Sequence, residues 1–242
     1  MDNSKLGDHI SSQFNHELED ICNKVLIMGG LVKQQLELAV EAFTKRDMEL
    51  AELAIKQDNQ VDALEIAIGK ECMQVLAQRQ PTAFDLRLLL TAMKIIHELE
   101  SIGDKTQWIA QMAIKVASGD SKHPQFELAN MAELVKVMLH DALDAFARMT
   151  LENVPAITGR NDSVYLEYDN ILKELIARMM ENSRTINSAL DVLWTVRALE
   201  SISDHACYIC EHLIFMINGE EVQHLSHSEL KKAVWGNSPL IG

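Results

Sequence analysis

The sequence LESIGD at residues 99–104 returns almost unchanged as LESISD at residues 199–204. Five of the six positions are identical, although one hundred residues separate the two copies in a chain of 242. Each copy carries a glutamate and an aspartate four positions apart, and residues at this spacing lie on one face of an α-helix. The repetition is typical of a helical unit that occurs twice in the chain.

Two longer blocks repeat in the same order around the hexapeptides. LELAVEAF (36–43) aligns with LHDALDAF (139–146), and VDALEIAIGKE (61–71) aligns with VYLEYDNILKE (164–174), both at an offset of 103 residues. The hexapeptides are offset by 100 residues, so the loop before them is three residues shorter in the second copy. Three aligned blocks in one order indicate a tandem duplication.

The composition favours helices over strands. Hydrophobic residues make up 48 % of the chain, which contains only 10 Gly and 4 Pro, and strand-like alternation is absent. Apolar residues recur at spacings of three and four, as in amphipathic helices. We therefore predict an all-α fold in which each copy forms a three-helix unit. The predicted helices cover about residues 10–45, 47–78 and 83–117 in copy one, and 126–149, 154–181 and 185–218 in copy two.

These helices also define the predicted domain organisation. Local signals add detail to it: Gly29 and Gly30 are expected to kink the first helix, and Thr82 with Asp85 is expected to form a capping box at the third. The predicted units are a first bundle at 1–119, a linker at 120–125, a second bundle at 126–219 and a C-terminal tail at 220–242.

Charge and hydropathy exclude several classes of function. The formal net charge is −14, which argues against nucleic acid as a partner and against electrostatic binding to an anionic bilayer. The N-terminus lacks the apolar core of a signal peptide, and no run of about 18 apolar residues predicts a membrane span. Four scattered cysteines suit a reduced, cytoplasmic protein.

Pairs of carboxylates at a spacing of four occur on two predicted helices of copy one. Glu100 and Asp104 lie on helix 3, and Asp58 and Asp62 lie on helix 2 with Glu65 one turn further. Like charges at this spacing slightly destabilise a helix. The simplest interpretation of one isolated pair is a solvated acidic face.

Two features favour a metal site instead. Glu100 and Asp104 continue a stripe that includes His97 on a helix with few polar residues, and an unpaired carboxylate near a packed surface is costly. The same pair recurs as Glu200 and Asp204 in the second copy. Oxygen ligands select hard cations such as Mg, Ca, Mn or iron. From the pattern alone, metal binding and a solvated face stay open as alternatives.

Other motifs are weaker. Cys207 and Cys210 form a single CxxC, which we interpret as buried helical cysteines. His97 is expected to be a packed or partly exposed side chain and not a ligand. A di-iron enzyme would need Glu-x-x-His on facing helices, but this spacing occurs only at Glu221 and His224, in the tail. A metal-dependent helical enzyme is therefore the disfavoured alternative.

The chain resembles the PhoU family of phosphate-signalling proteins over about residues 8–220. The segments that carry the resemblance are HISSQFNHELEDI, MGGLVKQQLELAVEAF, RQPTAFDLRLLL, LDAFARM and the paired LESIGD and LESISD. The resemblance implies two similar three-helix bundles packed side by side in a cytoplasmic, usually dimeric protein. It implies a non-enzymatic regulator that restrains phosphate uptake and phosphate-starvation gene expression when phosphate is plentiful. Its implied partners are a sensor histidine kinase and the ATPase of a phosphate ABC transporter.

The resemblance also implies a metal cofactor. Family members bind divalent or trivalent metal at E(D)xxxD motifs, as iron clusters in some members and as other ions, among them Zn, Mg, Mn or Ca, in others. The implied ligands, carried over by position, are Asp58, Asp62, Glu100, Asp104, Glu200 and Asp204.

The chain departs from the family pattern at four positions. Ser101 and Ser201 replace the arginine that usually follows the glutamate, and Asn161 and Tyr165 stand where copy one has its helix-2 aspartates. A phenol with a pKa of about 10 is a poor ligand for a hard cation. We therefore predict a competent site in copy one and a weak or empty one in copy two. The same departures keep open a metal-free paralogue with a different partner. If the register is shifted by one, nearby acids could compensate: Asp162, Glu167 and Asp169.

Overall fold

The structure, a computed structural model, describes residues 12–118, 128–222 and 234. The described residues form helices and connecting turns without a β-strand, which confirms the predicted all-α fold. The predicted linker at 120–125 and the tail beyond residue 222, apart from residue 234, lie outside the described residues. The helices are α1 (Ser12–Lys45), α2 (Met48–Arg79), α3 (Ala83–Ser118), α4 (Ala129–Arg148), α5 (Val154–Glu181) and α6 (Ile186–Asn218), with a 3₁₀ turn at Ser183–Thr185 before α6.

Local capping chemistry sets the ends of α2. The Asp47 carboxylate accepts hydrogen bonds from the backbone N–H groups of Glu49 and Leu50, at 2.9 and 3.1 Å, so α2 starts at Met48. Gln80 has a left-handed backbone with φ of 49° and ends the helix directly before Pro81. The loop between α2 and α3 therefore falls where the sequence predicts a break.

Helices α1–α3 form the first bundle and helices α4–α6 the second. The two bundles pack side by side, chiefly through α3 and α6, which run antiparallel. The Thr91 hydroxyl donates to the His212 carbonyl at 3.3 Å near one end of this contact, and Lys115 pairs with Asp191 at 2.5 Å near the other. Helix α1 also contacts α4.

Gly29 is required where the second bundle meets the first. Helix α1 runs unbroken through Gly29 and Gly30. A Cβ atom on Gly29 would lie 2.6 Å from Cδ2 of Leu143 in α4, whereas one on Gly30 would meet nothing within 4 Å. Besides the kink expected from this pair, Gly29 therefore has a packing role that the sequence alone did not indicate.

Two further expectations concern the helix surfaces. Cys207 and Cys210 are buried, as predicted, and so are Cys22 and Cys72; all four thiols are free. None of the described helices combines the length and the apolar character that crossing a membrane requires.

Candidate metal centre

The acids of copy one meet where α1, α2 and α3 converge. Asp58 of α2 is the innermost, with only 5 % of its surface exposed. Its Oδ1 accepts a hydrogen bond from Nε2 of Gln35 at 3.0 Å, and its Oδ2 accepts one from Nε2 of Gln107 at 2.6 Å. Two amides, one from each neighbouring helix, therefore fix the orientation of a buried carboxylate.

The glycine of LESIGD allows α3 to approach this carboxylate. A Cβ atom on Gly103 would lie 3.1 Å from Oδ1 of Asp58 and 3.5 Å from Oε1 of Gln35. Ser203 occupies the matching position of LESISD, and its hydroxyl donates to the Glu200 carbonyl at 2.7 Å. The only position at which the hexapeptides differ is therefore the position of Gly103, which lies against the acidic site of copy one.

Four further carboxylates lie close enough to Asp58 or to one another for their negative charges to repel. Burial raises the pKa of Asp58, and the charges of Asp62 and Asp104 raise it further. Burial likewise raises the pKa of Glu100, together with the charges of Asp104, Glu65 and Asp62. Within residues 12–118 and 128–222, no lysine or arginine pairs with any of these five carboxylates. They form a concentrated negative site, which we call the copy-one cluster.

His97 lies beside this cluster, although the sequence analysis did not treat it as a ligand. Its side chain is 69 % exposed, as a partly exposed histidine should be. Its Nδ1 is 3.7 Å from Oε1 of Glu65 and 3.9 Å from Oε2 of Glu100, and one ligand atom from each residue fits within 4.8 Å of the others. In the sequence, the spacing of three residues between His97 and Glu100 indicates that the two side chains are neighbours on one face of α3.

In copy two, neutral side chains donate hydrogen bonds to Asp204, the aspartate that corresponds to Asp104. Nδ2 of Asn161 donates to Oδ1 of Asp204 at 3.0 Å, and the Tyr165 hydroxyl donates to the same oxygen at 2.7 Å. These are the residues that replace the helix-2 aspartates. Asp204 therefore receives hydrogen bonds where its counterpart Asp104 faces negative charge.

Glu200, the glutamate of the copy-two hexapeptide, forms an ion pair with an arginine. NH1 of Arg197 lies 2.9 Å from Oε1 and 2.8 Å from Oε2 of Glu200, whose side chain is only 7 % exposed. The Arg197 guanidinium also lies 6.0 Å from the centroid of the Tyr168 ring. In the duplicated alignment, Arg197 corresponds to His97 and Tyr168 to Glu65.

The hydrogen bonds of Asn161 and Tyr165 also bear on the register between the two copies. Both side chains contact Asp204 of α6, so the alignment that pairs Asp58 with Asn161 describes side chains that face α6. Compensation by Asp162, Glu167 or Asp169 is expected only if this register is shifted by one residue.

The two sites differ in how well their residues fit a metal ion. The copy-one cluster offers several carboxylate oxygens, and no lysine or arginine of the described ranges pairs with them. At the same junction, Oε1 of the fully buried Gln35 has no hydrogen-bond partner among the described residues. In copy two, amide, phenol and guanidinium groups already satisfy both carboxylates. The donor set of copy one fits a cation, and that of copy two does not.

The two serines that depart from the family pattern have different surroundings. The Ser101 hydroxyl lies 3.4 Å from Oε2 of Glu100 and donates to it. Ser201 lines an open groove of about 530 Å³ between α3 and α6, together with Asp104, Trp108 and Trp194. The short side chain of Ser201 leaves this groove accessible between the two acidic sites.

A second charged cluster, which the sequence analysis missed, joins the bundles. Glu98 of α3 lies 2.6 Å from Nδ1 of His205 and 3.2 Å from Nε2 of His212, both on α6. Burial opposes ionisation of Glu98, but the hydrogen bonds and positive charge of the two histidines outweigh it and lower its pKa to about 2. This contact fixes α3 against α6.

Comparisons with known proteins agree with this architecture. The family model described as PhoU domain matches residues 25–113 and again residues 128–213. The chain is 42 % identical over 232 residues to the phosphate-specific transport system accessory protein PhoU of Serratia marcescens, covering 96 % of both chains. It is 40 % identical over 236 residues to the protein of that name from Escherichia coli strain K12, covering 98 % of both.

Solved structures give the same result for the fold. The crystal structure of PhoU from Pseudomonas aeruginosa superposes with a TM-score of 0.82 at 39 % identity, over 86 % of this chain and all of that one. The phosphate transport system regulatory protein PhoU from Streptococcus pneumoniae gives 0.81 at 28 % identity, over 87 % of this chain and all of that one. With both copies of the repeat matched, the chain belongs to the PhoU family.

Proposed function

We propose that this chain is a cytoplasmic, non-enzymatic regulator of phosphate transport. The observation that carries the proposal is that relatives named as accessory proteins of phosphate-specific transport match nearly the whole chain, through both bundles. The chain acts as an adaptor, and no group in the copy-one cluster requires an enzymatic reaction to explain its position. Its partners are the ATPase of a phosphate ABC transporter and a sensor histidine kinase, which it restrains when phosphate is plentiful, working as a homodimer.

The proposed function includes one metal centre per chain, at the copy-one cluster. Asp62, Glu100 and Asp104 supply exposed or half-buried oxygens, and Asp58 is a carboxylate held in place by Gln35 and Gln107. Hydrogen bonds of this kind commonly orient ligating carboxylates. A bound divalent or trivalent ion would neutralise the repulsion within the cluster and tie α2 to α3. By holding α2 against α3, these residues and their ion would stabilise the surface that the first bundle offers to partners.

Copy two has a structural role in this proposal. Arg197, Asn161 and Tyr165 neutralise or satisfy Glu200 and Asp204 without a metal ion. The second bundle is consequently complete without metal, and its acids are retained as hydrogen-bond acceptors within the bundle.

Phosphate uptake in phosphate-rich medium tests the regulatory proposal. Cells that lack the chain should take up more phosphate than the parent strain, and expression of the full chain should restore the lower rate. Affinity capture with the full chain should recover the transporter ATPase or the kinase, whereas an unrelated acidic helical protein should recover neither. Unchanged uptake together with capture of neither partner would contradict the proposal.

A further inference from the structure

We propose that His97 is a nitrogen ligand of the copy-one cluster and makes the site select a zinc-type or iron(II)-type ion over Mg²⁺ or Ca²⁺. This inference rests on the proposed metal centre and specifies its chemistry. It adds Glu65 and His97, neither of which belongs to the paired E(D)xxxD acids, to the ligand set.

The geometry requires little rearrangement. Tetrahedral zinc sites have bonds of about 2.0–2.1 Å, which places neighbouring ligand atoms about 3.3 Å apart. Nδ1 of His97 is 3.7 Å from the Glu65 oxygen and 3.9 Å from the Glu100 oxygen. The exposed imidazole can rotate to close this difference. One oxygen each of Glu65 and Glu100 lies within 4.8 Å of the other and of the imidazole nitrogen, and rotation of the two carboxylate side chains closes the remaining distance.

The chemistry of the donor atoms gives the selectivity. Carboxylate and carbonyl oxygens suit Mg²⁺, Ca²⁺ and Mn²⁺, whereas imidazole suits zinc, iron, nickel and copper. A cluster of carboxylates alone would favour the first group. The addition of one imidazole gives a mixed nitrogen and oxygen set, which favours the second.

Copy two provides independent support that this position holds a cation. The residues equivalent to Glu65, His97 and Glu100 are Tyr168, Arg197 and Glu200. There the guanidinium contacts Glu200 and lies over the Tyr168 ring. In copy two the residue at the position of His97 is therefore itself a cation, and it lies against the other two residues. The same position of copy one carries an imidazole, which can bind a metal ion between Glu65 and Glu100 in place of the guanidinium.

A competing explanation is that His97 only offsets the negative charge of Glu65 and Glu100. A charge-neutralising histidine would influence every cation in the same direction, since it would compete equally with Mg²⁺ and Zn²⁺. A ligating histidine affects Zn²⁺ alone. The relative change in affinity for the two ions separates these roles.

The test is a binding titration of the full chain with Zn²⁺ and, separately, with Mg²⁺, comparing the wild type with His97→Asn. His140→Asn is the matched control, because His140 is an exposed histidine on α4 of the second bundle. We expect His97→Asn to weaken Zn²⁺ binding by at least about 10-fold, the smallest loss usual for residues that support a metal site. Mg²⁺ binding should be unchanged, and the control should bind both ions as the wild type does.

A second measurement observes the ligand atom itself. Zn²⁺ should shift the ring-nitrogen NMR signals of His97 in the wild type, and Mg²⁺ should leave them in place. Equal Zn²⁺ affinity in the wild type and His97→Asn, with no shift of these signals, would overturn the inference while leaving the metal centre intact. If the folded wild type bound neither ion, both the metal centre and this inference would fail.

Discussion

At the scale of single residues, small differences between the copies decide which acids are satisfied. Asn161 donates a hydrogen bond of 3.0 Å to Asp204, whereas burial and the charges of Asp62 and Asp104 raise the pKa of Asp58 at the equivalent position. The amides that hold Asp58 are also specific to copy one, because the positions of Gln35 and Gln107 are filled by methionine and cysteine in copy two. The buried carboxylate and its donors therefore occur together.

The first prediction concerns the repulsion within the copy-one cluster. Because the folded protein raises the pKa of Glu100, its ionised form lowers stability at neutral pH. In a chelator at pH 7, Glu100→Gln should therefore raise the free energy of unfolding by at least a few tenths of a kcal/mol, the size of one like-charge helical pair.

Urea unfolding measures this change. Glu52→Gln, at an exposed position of α2, is the control and should alter stability by no more than about 0.5 kcal/mol. Destabilisation by Glu100→Gln in the absence of metal would contradict the repulsive cluster.

The second prediction concerns Glu98 between the bundles. The pKa of Glu98 in the folded protein, about 2, lies below its ordinary value of 4.5. The ionised carboxylate therefore stabilises the folded protein fully when the pH is above this ordinary pKa. That contribution is lost as the pH falls through about 2. At pH 6, Glu98→Gln should lower the free energy of unfolding by about 3 kcal/mol at most.

The difference between wild type and Glu98→Gln, measured by urea unfolding, should be large at pH 6 and smaller at pH 3. Glu133→Gln is the control, because this exposed glutamate pairs with Lys136 one turn away on α4 and has no other ion pair in the described ranges. A Glu98→Gln effect that does not depend on pH would show that the carboxylate charge does not stabilise the contact with the histidines.

At the scale of helices, the sequence predicts where the helices begin and end better than it predicts which side chains meet at the site. Spacings of three and four locate six helices, and the predicted boundaries at residues 78, 83 and 218 lie within one residue of the observed ones, because these signals are local to the chain. Contacts between helices are not local. Glu98 and His205 are 107 residues apart. The periodicity of α3 predicts on which face of the helix Glu98 lies, but it does not identify the residue that Glu98 contacts.

The same limit explains the residues that the sequence analysis missed. Gln35 lies on the buried face of α1 beside Val32 and Leu36, and a lone amide on an apolar face is a signal of a buried polar contact. That signal does not identify Asp58, on another helix, as the acceptor. The acids of copy one were recognised because their spacing repeats, whereas Gln35 has no repeated counterpart.

The third prediction tests the contact between α1 and α4. Gly29→Ala should destabilise the protein by about 1–3 kcal/mol, because its Cβ would displace Leu143 in a packed interface. Gly30→Ala is the matched control one residue away, and it should stabilise the helix by about 0.5–1 kcal/mol, since its Cβ meets no neighbour. Thermal unfolding of both variants measures the difference, and equal effects would contradict the close approach.

At the scale of the whole molecule, the two bundles have the same fold and different electrostatics. The first bundle concentrates carboxylates that lack a lysine or arginine partner in the described ranges, and the second pairs Glu200 with Arg197. The groove between α3 and α6 lies between these sites, with Asp104 on one wall and Arg197 on the other. A duplicated protein has in this way become asymmetric in charge, and the proposed metal centre is on one side only.

The measurement that tests this asymmetry most directly is metal content by mass spectrometry on untagged protein. Three chains are compared: the wild type, Glu100→Ala/Asp104→Ala and Glu200→Ala/Asp204→Ala. We expect the wild type and the copy-two variant to retain the same amount of metal per chain and the copy-one variant to lose it. Equal loss of metal from both variants, or a wild type without metal, would contradict a single centre in the first bundle.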